Sequence, residues 1–159
     1  MKILLPIDGS DVSLQAVRYA IGMARQGLAC SVVLANVQEG AHLYELVLGA
    51  DAQAIDGASA AAGVHALEAA AQLLDQAGLA YEREVARGDP AHTIVEIGER
   101  YGCDLIIMGA QGRGPLRSAL LGSVSNEVLH AAGVPVMIVK AEPDREPDEA
   151  TQAEPEGGA

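Results

Sequence analysis

The sequence contains no phenylalanine and no tryptophan, and only four tyrosines among its 159 residues. A platform for single-stranded nucleic acid needs aromatic rings for the bases and a basic groove for the backbone. The groove is missing too: ten Lys and Arg stand against 22 Asp and Glu, a net charge of -12. Nucleic acid is therefore not an expected partner. Cysteine is scarce. Cys30 and Cys103 lie far apart, outline no disulfide framework and read as reduced thiols. Long apolar runs are absent as well. No segment approaches the roughly 18 consecutive apolar residues of a membrane helix. The initial run "KILLPI" is too short for an export signal and is cut by Pro6 and Asp8. These absences predict a soluble, cytoplasmic protein with no membrane partner.

Half of the residues are apolar, mostly Ala, Leu, Val and Ile, and the length suffices for one domain with a sizeable core. Composition divides the chain into a domain over 1–140 and a tail over 141–159. From Glu142 onward seven acids face a single base, Arg145, so this short stretch carries half of the net charge. It holds three prolines and no large apolar residue, which predicts a disordered acidic tail. Such a tail serves as a solubiliser or as a docking segment for a basic partner.

Short apolar runs alternate with helical patterns. "KILLPI", "CSVVLANV", "DLIIMG" and "VPVMIVK" read as strands, and "YEREVA" as a polar-alternating strand at a sheet edge. Leu14, Val17, Ile21 and Ala24 recur at helical spacing. An Ala-rich segment from Asp51 reads as a helix closed at Gly78. Asp89-Pro90 reads as an N-cap followed by proline at the first helical position, in a helix ending at Gly102. "SVSNEVLHAAG" is helical, and residues 38–49 fit either a loop or a helix start. Alternating strands and helices predict an α/β three-layer sandwich around a five-stranded parallel sheet. The order 3-2-1-4-5 reverses direction between the first and fourth strands, and ligands sit at the carboxyl ends of strands at such a point. Those ends are "PIDGS" and "IIMGAQG".

The fourth strand runs into a long segment, "GAQGRGPLRSALLGSVSNEVL". Glycines there permit positive φ and close approach of a ligand to the main chain. Successive amides make an anion-binding concavity, and a helix restarting at Gly122-Ser123 presents its positive end. Ser123 and Ser125 add hydroxyl donors, Arg113 and Arg117 add charge, and Asp8 is placed to accept from ribose hydroxyls. The spacing is not that of a P-loop: the only lysines are Lys2 and Lys140, and neither follows a glycine. No G-x-G-x-x-G follows the first strand. What is present is Gly109-x2-Gly112-x9-Gly122-Ser123.

With that spacing the chain resembles the universal stress protein family, whose ATP-binding members carry G-x2-G-x9-G-[ST] after the fourth strand. "ILLPIDGS", "LANV", "GDPAHTIVEIGERYGCDLIIMG" and "GVPVMIVK" resemble the family's other segments, so the likeness spans residues 1–140. It implies an adenine nucleotide α-hydrolase-like fold. It implies that Pro6, Ile7 and Asp8 line an adenosine pocket, that Val37 bonds adenine through its main chain, and that Met108 packs nearby. Gly109, Gly112, Gly122, Ser123 and Val124 would hold ribose and phosphates, with Ser125 close and Arg113 beside them. It further implies ATP with Mg2+ or Mn2+ held mainly by the phosphates, and a homodimer paired through the last strand, 134–140.

Plainer readings stand beside these. Asp8 could cap the next helix, Gly109 and Gly112 could be turn glycines, Ser123 could be an N-cap, and Arg113 and Arg117 could be solvated. Met108 and Val37 fit the core. His42, His65, His92 and His130 lack paired metal-ligand spacing. No nucleophile elbow or triad order appears, so no catalytic residue is assigned and ATP hydrolysis would be slow at most. The leading expectation is an ATP-binding regulatory or stress-response protein. The alternatives are a slow ATPase or other nucleotide-using enzyme, and a nucleotide-free dimeric scaffold.

Overall fold

The structure is a computed structural model that describes residues 1–39, 52–112 and 121–141. Its elements follow in the order β1 (Lys2–Pro6), α1 (Asp11–Arg25), β2 (Ser31–Gln38), α2 (Ala52–Ala77), β3 (Tyr81–Arg87), α3 (Pro90–Arg100), β4 (Leu105–Gly109), α4 (Ser123–Ala131) and β5 (Val136–Val139). All four strand pairings are parallel, in the order β3-β2-β1-β4-β5. The sheet and its direction reversal are those expected from the sequence. The stretch 38–49 resolves only at its start, where Gln38 ends β2; residues 40–49 lie outside the described residues, as does the tail from Glu142.

The central strands are apolar because helices cover both of their faces. Ile3 and Leu5 of β1, Ile7 just beyond its end, and Val32 and Leu34 of β2 face α1 and α2, packing on Val17, Ile21, Leu67 and Leu74. Leu4, Val33, Ala35, Ile106 and Met108 face α3 and α4, packing on Ile94, Ile97 and Val128. Each such fully buried Leu or Ile contributes about 1.5–3 kcal/mol. This two-sided burial identifies the three layers.

Helix ends follow local chemistry. The Asp89 carboxylate accepts from the His92 amide at 2.9 Å, with Pro90 opening α3. Ser10 caps α1 by accepting from the Ser13 amide at 3.2 Å. Gly78 leaves α2 at φ 68°, and the next amide, of Leu79, donates back to the Leu74 carbonyl at 3.1 Å.

Candidate functional site

At the carboxyl ends of β1 and β4 the two strands part, and a cleft of about 960 Å³ opens there. It is lined by Pro6, Ile7, Asp8, Val37, Met108, Gly109, Gly112, Gly122, Ser123, Val124 and Ser125. Every site residue expected from the sequence thus converges on one cleft, except Arg113, which lies outside the described residues together with Arg117.

The β1 turn supplies Asp8. One carboxylate oxygen accepts from the Ser10 amide at 2.9 Å and from the Ser10 hydroxyl, a local turn made possible by Gly9 at φ 82°. Asp8 therefore does not cap α1; it fixes Ser10, which does. Its other oxygen, Oδ2, lies 2.9 Å from where a Cβ on Gly112 would stand. The acidic turn and the glycine-rich segment meet, as the topology requires.

The motif glycines serve space rather than backbone torsion. None of Gly109, Gly112 and Gly122 is among the positive-φ residues, so the torsional reason offered for them from the sequence does not hold. A Cβ on Gly109 would lie 2.8 Å from Val12 Cγ1, and one on Gly122 would lie 3.3 Å from the Ala110 carbonyl oxygen. Gly109 lets the first turn of α1 press against the end of β4. Gly122 lets the chain fold back on Ala110, to whose oxygen its own amide donates at 2.7 Å.

The N-terminus of α4 faces the cleft without a side-chain cap. Gly122 is the N-cap, Ser123 is the first helical residue and exposed, and the first intrahelical bond runs from the Asn126 amide to the Gly122 oxygen at 2.9 Å. The amides of Ser123, Val124 and Ser125 are thereby left without intrahelical acceptors, at the positive end of the helix dipole. Ser123 is not the N-cap. The Ser125 hydroxyl points inward, buried, and donates to the Ala110 and Gly109 oxygens at 2.9 and 3.1 Å. It pins the strand end and is not the free donor expected from the sequence.

The deeper wall is aliphatic: Ala35, Val37, Ile94, Met108 and Val124 all line it. The Ile7 amide donates to the Ala35 oxygen at 2.7 Å. Main-chain groups alternate sides along a strand, so the N–H and C=O of Val37 also point toward β1. By that level β1 has left the sheet, and the peptide edge of Val37 borders the cleft. Sequence reasoning missed Asn36 and Gln38, which also line it. Asn36 is 3 % exposed, and its side-chain amide donates to the Ile7 oxygen at 2.7 Å. An Asn within a β-branched run was the available signal, since a buried amide needs partners.

Among the described lining residues the charged side chains are Asp8 and Glu39, both acidic. Among the described residues no His, Cys, Asp and Glu group could hold a metal ion. His65 pairs with Glu68 and His92 with Glu96 on exposed helix surface. Burial pushes the Cys103 thiol up, which keeps it protonated and a poor nucleophile. No described helix is long and apolar enough to cross a membrane.

A family model described as the universal stress protein family matches residues 1–140. Among curated proteins, universal stress protein MJ0531 of Methanocaldococcus jannaschii is 34% identical over 139 residues, covering 87% of this chain and 81% of that protein. Among solved structures, MJ0577 of the same organism has a TM-score of 0.77 at 27% identity, covering 89% of this chain and 96% of that one. A universal stress protein from Archaeoglobus fulgidus, solved in complex with dAMP, has a TM-score of 0.62 at 23% identity and shares the fold, over 88% of this chain and 98% of that one.

Proposed function

We propose, from the premise that this chain belongs to the universal stress protein family, that its cleft binds ATP as a Mg2+ or Mn2+ complex and that nucleotide occupancy regulates its contacts with partners. The observation that carries this reading is the meeting, in one cleft, of an aliphatic slot edged by the Val37 peptide with the uncapped N-terminus of α4. The slot suits a flat, largely apolar ring whose edge both donates and accepts. The helix end suits phosphate. Asp8, between them, is placed for ribose hydroxyls, and Gly112 and Gly122 leave room for phosphate oxygens to reach main-chain amides. A fold relative that holds dAMP supports the same ligand class.

The described donor set fits a metal carried by the nucleotide. Asp8 and Glu39 are the charged side chains at hand, and one Asp8 oxygen is already engaged by Ser10. The cation would offset phosphate charge in an acidic protein. The same engagement disfavours Asp8 as a general base, so the reading is a regulatory protein rather than an efficient ATPase. The protein would act as a cytoplasmic homodimer joined along β5, whose half-buried Val136, Met137 and Ile138 form an apolar outer strand.

Titration calorimetry with MgATP tests the reading. Wild type should release or absorb heat saturably. Gly122→Val should not, while keeping its circular dichroism: φ -67° and ψ 161° at residue 122 admit valine, and the 3.3 Å approach of its Cβ to the Ala110 oxygen calls for a local shift that leaves the sheet and helices in place. Absence of heat from wild type at millimolar MgATP would remove the nucleotide. Undiminished affinity in Gly122→Val would remove the helix end as the phosphate site.

A further inference from the structure

The base slot depends on an interruption of the β1–β2 ladder. Paired residues run in register from Lys2 with Ser31 to Pro6 with Ala35. The Ile7 amide adds one more bond, to the Ala35 oxygen. A regular parallel ladder would continue with the Val37 amide donating to the Ile7 oxygen. Among the described residues that bond is not made. The Ile7 oxygen instead receives the side-chain amide of Asn36 at 2.7 Å.

We infer that Asn36 is a positioning residue: by occupying the Ile7 carbonyl it stops the ladder one bond early and keeps the Val37 peptide edge open for the ring of an adenine nucleotide. The inference deepens the preceding reading and rests on it for the identity of the ring. The chemistry fixes the orientation of Asn36. A carbonyl oxygen can only accept, so the Asn36 atom facing Ile7 is its nitrogen. Its oxygen then needs a donor, and the side-chain nitrogen of Gln38 supplies one. Both amides are thereby engaged on one chain of bonds.

Space for this arrangement comes from α2. A Cβ on Gly63 would stand 2.8 Å from Asn36 Oδ1 and 2.6 Å from Val85 Cγ1. Gly63 does not line the cleft. A side chain there displaces Asn36 from behind, from the opposite face of the sheet to the aliphatic slot.

Hydrogen exchange by NMR on the free wild-type protein tests the hold of Asn36 over Val37 without any ligand. The Val37 amide should exchange at least about 100-fold faster than that of Val33, which lies inside the β1–β2 ladder. MgATP should protect it and inorganic tripolyphosphate should not. In Asn36→Leu, close in shape but unable to donate, the Val37 amide should become protected without ligand as the ladder closes. Affinity for MgATP should then fall about tenfold or more, with tripolyphosphate binding changed less than about twofold. Gly63→Ala should move both readouts in the same direction from a residue outside the cleft. A Val37 amide as protected as Val33 in free wild type would overturn the assignment, whatever the ligand. So would an Asn36→Leu protein that loses both ligands equally, since that is a structural defect alone. Absence of ATP binding to wild type, with fast exchange at Val37, would instead sink the adenine ring as occupant.

Discussion

Gly109→Ala separates packing from ligand binding within the glycine motif. The added methyl would stand 2.8 Å from Val12 Cγ1 and 3.3 Å from the Val12 carbonyl carbon. Real Cβ atoms essentially never come within 3.0 Å of another heavy atom, so something must move. Valine is stiff at χ1 and the second contact is backbone, so no flexible side-chain end can absorb the methyl. The first turn of α1 must shift, and with it Ser10 and the Asp8 turn. Overpacking of this kind costs about 1–3 kcal/mol. The entropy that alanine removes from the unfolded chain returns about 0.4–1 kcal/mol at most. The net cost is about 0.6–2 kcal/mol. For a chain of this length each kcal/mol lowers Tm by about 3 °C, so thermal unfolding should show a fall of about 2 to 6 °C and urea unfolding a lower midpoint. Val12→Ala removes the methyl that is struck, and the double variant should recover stability with a coupling above about 0.5 kcal/mol. An unchanged Tm in Gly109→Ala, or strictly additive single and double variants, would refute the contact and return Gly109 to the role of a plain turn residue.

Ser125→Ala should cost only about 1 kcal/mol in urea unfolding, because the Ala110 oxygen it serves keeps the Gly122 amide as a donor. No measurable loss would mean that the hydroxyl does not pin the end of β4. Tyr101 gives a prediction in pH. Its hydroxyl donates to Glu84 Oε2 at 2.8 Å, and that bond, with burial and the carboxylate's charge, raises the phenol above its ordinary value of 10.0. A raised pKa means that the fold favours the protonated phenol. The contribution is therefore complete below about pH 10 and disappears as pH climbs through the folded value. Tyr101→Phe should lower the urea midpoint at neutral pH and flatten its alkaline decline; parallel pH profiles for the two proteins would contradict this.

The sheet was readable because each central strand is an apolar run bounded by turn residues, and because Asp89-Pro90 and Gly78 mark helix ends by chemistry that acts within a few residues. The cleft was readable in outline because the spacing from Gly109 to Ser123 is local. Its working parts were less so. Ser10, not Asp8, caps α1, since the choice between two adjacent acceptors turns on which amide lies within reach. Ser125 looks like any helix-start hydroxyl in the sequence, yet it points into the fold because α4 packs over β4. The bond between Asn36 and Ile7 joins residues 29 apart. It forms at the level where β1 leaves the sheet, and no periodicity of β2 announces where its neighbour departs. Gly63 sits in an Ala-rich helix and is understood only once Val85 and Asn36 are seen beneath it.

The aliphatic lining has a consequence for how selectivity for one base over another could evolve. With no Phe or Trp anywhere in the chain, methyl and methylene groups would hold the faces of a ring in the proposed slot, and they accept any flat heterocycle of similar size. Discrimination then rests on an amide and a carbonyl that every amino acid except proline would supply at position 37. Replacing the valine leaves those atoms in place. On the proposed reading, heritable change in ligand preference would therefore arise at neighbouring positions that steer the peptide, not at residue 37 itself.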